Sequence, residues 1–140
     1  MDRQPIKGKK LFYGLLSVQI ATLLLLSTIS LAAFSVMIAK AVAWGAAICW
    51  LAHAWAAYQM WLHPKNALPK RQATAAIRAE MGKIAITLLL LWVSLKTTPE
   101  LRTKENAAAL LLGFFFTQVA GWVWLARATR NAPIEHEVEK

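Results

Sequence analysis

The 140-residue chain has little of what a soluble catalyst is made from. It holds one cysteine, Cys49, which excludes an internal disulfide and any cysteine-rich metal cluster. Charged residues make up 16% against 58% apolar, with a mean hydropathy of +0.44, and that balance excludes an ordinary water-soluble fold. Acidic residues are scarcest, seven against sixteen Lys and Arg, leaving a net charge of +9. No phosphate-cradling glycine loop, no paired carboxylates and no nucleophile beside a base occur, nor any internal repeat, so an enzyme is not expected.

What the chain does have is long runs without charge. Leu11 to Ala33 supplies 23 residues, enough to cross about 30 Å of hydrocarbon at 1.5 Å per residue. The run exceeds the h-region of a signal peptide, so it reads as a span. Ala41–Leu62 and Ala107–Ala126 are uncharged runs of similar length. A fourth candidate, Ile84–Leu95, spans only if its helix reaches back to about Ala76, which draws Arg78, Glu80 and Lys83 into it. The expectation is an all-α, polytopic membrane protein. Four transmembrane helices (11–33, 41–62, 76–95 and 107–126) follow a basic N-terminus (1–10) and precede a disordered tail (131–140).

Lys and Arg accumulate on the cytoplasmic side of a membrane. With both termini inside, the inner face holds eleven of them: Arg3, Lys7, Lys9, Lys10, Lys65, Lys70, Arg71, Arg78, Arg127, Arg130 and Lys140. The outer face holds four, Lys40, Lys96, Arg102 and Lys104, and Lys83 lies within the third span. Topology thus explains the basic balance without nucleic acid, and the inner cations are expected to meet anionic lipid head groups. Trp44, Trp61, Trp92, Trp122 and Trp124 fall near span ends, where an amphipathic ring prefers to sit, while Trp50 and Trp55 lie deeper. Pro64 and Pro69 bracket the turn between the second and third spans.

At 100° per residue, Glu80, Lys83, Thr87 and Ser94 share one face of the third helix. Glu80 and Lys83, three apart, can pair, whereas Arg78 points away towards head groups. A charge some 10 Å inside the boundary is costly against lipid, so this stripe is expected to face protein. Two readings stay open: an internal bundle contact, or a docking surface for another membrane protein. Gln19 and Gln118 each bring an amide into a span and need partners. Small residues line span one (Gly14, Ser17, Ala21, Thr28, Ala32, Ser35) and span four (Ala109, Gly113, Thr117, Gly121), which reads as packing within the chain. His53 follows Cys49 by four, but zinc needs more ligands and a haem between helices needs two facing histidines, so neither metal nor cofactor is expected.

The layout resembles the ATP synthase protein I family, small membrane proteins encoded beside the subunits of bacterial F-type ATP synthases. The similarity starts with Lys9-Lys10-Leu11 leading to Gln19, continues through the Gly45-containing second span to Pro69, and is most specific at Ala79-Glu80-Met81-Gly82-Lys83 before an aliphatic run. The family pattern there is Gly-Glu-x-x-Lys, so Ala79 replaces a glycine, and Ala52-His53 stands where a Pro-Asn pair is common. The resemblance implies a four-span protein of the bacterial inner membrane that assists assembly or stability of the rotor ring, with the c subunit or c ring as partner. It also implies an alternative, a Mg²⁺ uptake channel supplying the synthase. A pore would require a homo-oligomer, because one chain offers a single intramembrane carboxylate, Glu80. A small accessory subunit of another membrane complex is the third reading.

Overall fold

The computed structural model describes residues 4–63 and 69–130. The turn carrying Pro64 and the tail expected to be disordered lie outside them. The described residues form four long helices and no strand: α1 (Gln4–Ala33), α2 (Val36–Ala57), α3 (Pro69–Thr97) and α4 (Lys104–Arg130). Three helical segments, Gly8–Ala33, Val36–Leu62 and Lys104–Arg130, are long and apolar enough to cross a membrane. α3 is as long, at 29 residues, but its uncharged stretch lies only between Lys83 and Lys96.

Helix ends follow local chemistry. Ser35 caps α2, its Oγ accepting from the Ile38 amide at 3.2 Å. Because α2 starts there, Lys40 stands in the second turn of a helix and not before its start, and Trp44 lies two turns in. Lysine is a good helix former, so its charge stops nothing. At its other end α2 widens into a π-helical segment, Tyr58–Leu62, closed by the His63 amide donating to the Tyr58 carbonyl at 3.0 Å. His63 is extended, as a residue preceding proline must be. Arg102, from a 3-10 turn (Pro99–Arg102), donates to the Leu95 and Lys96 carbonyls at 2.7 and 3.1 Å and so closes the C-terminus of α3.

The packing centres on α2. Gly45 of α2 lies against the Leu110 carbonyl of α4, and Gly113 of α4 against the Val42 carbonyl of α2; a Cβ at either position would overlap the facing backbone. Ala41, Val42, Ala109 and Leu110 surround this crossing, and Leu101 of the 3-10 turn joins them. α1 runs antiparallel to both, with Gly14 under the Trp124 ring and Gly121 beside Leu15 and Gln19. α3 attaches chiefly to α2, antiparallel, with Gly82 against the Trp55 indole at one end and Ser94 against Trp44 at the other.

α4 packs through the small face expected of it: Ala109, Gly113, Thr117 and Gly121 are all buried. Span one corrects the reading. Only Gly14 of its small residues makes such a contact, while Ser17, Ala21, Thr28, Ala32 and Ser35 are exposed. α1 packs instead through Leu15, Gln19 and Ser30, on nearly the opposite side, because Gln19 must reach a polar partner.

Filling the central crossing should loosen the whole bundle. Gly45→Leu or Gly113→Leu is expected to cost about 1–3 kcal/mol in an SDS titration followed by tryptophan fluorescence, where Ala85→Leu on the exposed face of α3 changes little.

Candidate functional site

Two polar clusters mark the bundle, one inside it and one at its edge. The first joins α1, α2 and α4. Gln19 is 0% exposed, and its amide Nε2 stands 2.7 Å from His53 Nδ1. The same ring nitrogen is 3.2 Å from the Cys49 carbonyl and 3.3 Å from Cys49 Sγ, as expected for residues one helical turn apart. The Cys49 thiol in turn donates to Gln118 Oε1 of α4 at 3.6 Å. Both glutamines therefore find partners on α2. The direction of the Gln19–His53 bond depends on the tautomer: if the amide donates, Nδ1 accepts and the ring proton sits on Nε2. The Gln19 Oε1 atom is buried without a partner among the described residues.

The second cluster lies at the edge. Lys83 Nζ pairs with both carboxylate oxygens of Glu80, at 2.9 and 2.8 Å, the spacing of three placing them one turn apart. Their exposures differ: the Lys83 side chain is 17% exposed and that of Glu80 63%. Lys83 thus turns into the bundle while Glu80 stands at its surface. Both border a pocket of about 190 Å³ whose walls are Ala56 and Ala57 of α2, Ala76 and Ala79 of α3, and Trp122 and Leu125 of α4, with His53 at its base. The alanines make this room, since none has a side chain long enough to fill the gap between α3 and the other helices.

Of the remaining stripe residues, Ser94 is buried, accepting from Trp44 Nε1 at 2.5 Å and donating to the Leu90 carbonyl at 2.5 Å, and Thr87 is half-buried. The stripe is therefore split along α3. Lys83 and Glu80 share the pocket with His53, and Ser94 serves a separate contact nearer the other end. Arg78 is exposed, on the outer side of α3. The sequence pattern did not reveal three contacts: Trp44 with Ser94, Cys49 with Gln118, and Trp55 over Gly82. Only the glycine of the last carried a signal, as a position where a large ring can approach the backbone. Among the described residues no group of three His, Cys, Asp or Glu side chains is placed to hold a metal ion.

Long apolar helices, small-residue crossings and buried amides that satisfy one another define a multi-pass membrane protein. Residues 14–115 match the ATP synthase I chain family, and the chain belongs to it. The match takes in Gln19, His53, Glu80, Lys83 and Ser94, and stops before Gln118. Membership makes the chain an ATP synthase-associated bacterial membrane protein. No curated protein and no solved structure matches it.

The inner cluster should behave as a coupled pair. Gln19→Leu and His53→Leu are each expected to destabilise the bundle, and the double variant to lose less than the sum by about 0.6 kcal/mol, the usual coupling of an interhelical hydrogen bond in lipid. A double-mutant cycle by SDS unfolding measures it, and strict additivity would show that the two side chains do not interact.

Proposed function

We propose that α3 is a fourth span, that both termini face the cytoplasm of a bacterial inner membrane, and that the chain is a non-catalytic accessory protein assisting assembly or stability of the rotor ring of c subunits. The fourth span is supported by length and register. α3 covers about 43 Å at 1.5 Å per residue and runs beside α2 from Trp55 to Trp44, inside the apolar segment of that helix. Orientation is supported by charge. The antiparallel order brings Lys9, Lys10, Lys70, Arg71, Arg127 and Arg130 to one end, and Arg102 at the other is occupied in closing α3.

The observation that carries the assembly reading is the Glu80–Lys83 pair. It sits at the mouth of a pocket, on the helix with the fewest neighbours, with the carboxylate facing out of the chain. A c subunit is a helical hairpin with a membrane-embedded carboxylate, and before its ring closes it exposes a packing face. Lys83 can offer that carboxylate a cation while Glu80 holds the lysine in place, and the alanine-lined gap leaves room for an approaching helix. The same pair disfavours a magnesium pore, because Lys83 repels a cation at the carboxylate that would have to attract it.

Two measurements test these proposals. In a Cys49→Ala background, a cysteine at Glu100 should react with a membrane-impermeant maleimide added outside intact cells, and one at Thr129 only after permeabilisation; the reverse pattern would invert the topology. In gentle detergent, Glu80→Gln and Lys83→Ala should each reduce recovery of c subunit with the protein by several-fold while helicity is kept. Undiminished recovery in both variants would remove the pair from the interface.

A further inference from the structure

A wide groove lies away from the ion pair, at the end where α2 begins. About 560 Å³ in volume, it has Met37, Ala43 and Ala47 of α2 as its floor, Leu23 of α1 on one side and Leu101 of the 3-10 turn on the other. It exists because α1 and α3 pack against different faces of α2 and leave that face uncovered between them. Lys40 stands in its wall and is, among the described residues, the only charged one lining the groove. None of the described carboxylates pairs with Lys40, and the Trp44 indole N–H beside it is committed to Ser94. Because Cβ atoms on a helix tilt towards its N-terminus, the Lys40 side chain leans towards the nearby start of α2, where an ammonium can reach the head-group layer.

An apolar trough ending in an uncompensated cation is complementary to an amphiphile with a chain and an anionic head. We propose that this groove holds one anionic phospholipid, an acyl chain lying along Met37, Ala43, Ala47 and Leu23 with its phosphate at Lys40. The net charge of the lipid matters, because a zwitterionic head group would bring its own ammonium beside Lys40, and no carboxylate lines the groove to receive it. The inference needs the chain to lie in a bilayer and is independent of the c-subunit reading.

Native mass spectrometry of the full chain in gentle detergent tests it, with phosphatidylglycerol and phosphatidylcholine of identical chains in equal amounts. Phosphatidylglycerol should be retained about five-fold over phosphatidylcholine, the ratio corresponding to the roughly 1 kcal/mol that a basic residue contributes near an anionic surface. Lys40→Met should lower that preference, leaving only the share held by the other cations, and Leu23→Trp, which fills the trough, should lower retention of both lipids. Lys96→Met, at the same end of the bundle but outside the groove, should leave the preference unchanged. Equal retention of the two lipids by the unsubstituted chain overturns the proposal, as does a preference that Lys40→Met leaves unchanged or retention that Leu23→Trp leaves unchanged. A groove that keeps neither lipid belongs to a partner helix, which overturns it as well.

Discussion

Apolar helices in lipid gain little by leaving acyl chains for one another, so their order must come from close backbone approach and from polar groups with nowhere else to go. Here the backbone approach is the crossing of α2 and α4, where Gly45 and Gly113 each face a carbonyl of the other helix. A glycine in a helix interior weakens it by about 1 kcal/mol relative to alanine, a cost recovered only if the missing side chain admits another backbone. Both glycines meet that condition. Once α2 and α4 are fixed this closely, α1 has one shallow channel to fill beside them, and α3 is left the remaining side of α2. The asymmetry of the bundle, three helices in mutual contact and one leaning on a single neighbour, follows from that crossing.

The polar residues fall on either side of the division. Gln19, His53, Cys49 and Gln118 come from the three mutually packed helices and point at one another, so the cluster pins the rotation of α1 and α4 about α2. Gln19, His53 and Cys49 are buried, Gln118 is half-buried, and their partners are internal, as expected of polar groups that hold an apolar bundle in one register. Glu80 and Lys83 belong to α3 alone and pair within the same helix, a contact that holds no two helices together. One ionic contact, indifferent to how the bundle packs, and one hydrogen-bonded cluster, sensitive to it, thus lie within reach of the same pocket through His53.

Helix content, the buried small face of α4 and the Glu80–Lys83 pairing were legible in the sequence because each depends on spacing within one helix. The small face of α1 was misread because spacing shows that a stripe exists without showing which side the neighbours choose. Gln19 lies almost opposite Ser17 and Ala21 on the helical wheel, and one amide that must be satisfied outweighs several small residues that merely permit close packing. Lys40 misled for a different reason: a charge marks the edge of an uncharged run, but a helix ends where its backbone hydrogen bonds end, and Ser35 supplies that end five residues earlier. Contacts between helices, such as Trp44 with Ser94, left no trace in spacing because they depend on the register of two segments.

On the assembly reading, the one-sided attachment of α3 has a physical use. A helix that packs chiefly on α2 and its π-helical end, through Ala75, Ala79, Gly82 and Ser94, can shift relative to α1 and α4 without disturbing the Gly45–Gly113 crossing or the Gln19–His53 bond. Because Glu80 travels with Lys83 on the same helix, such a shift keeps the lysine charge compensated, so opening the alanine-lined gap never strands an ion against lipid. An arriving carboxylate then competes with Glu80, the more exposed partner, for a cation already turned into the bundle. Had the pair been split between two helices, capture of a partner would have required breaking the bundle; keeping it on one helix separates binding from folding.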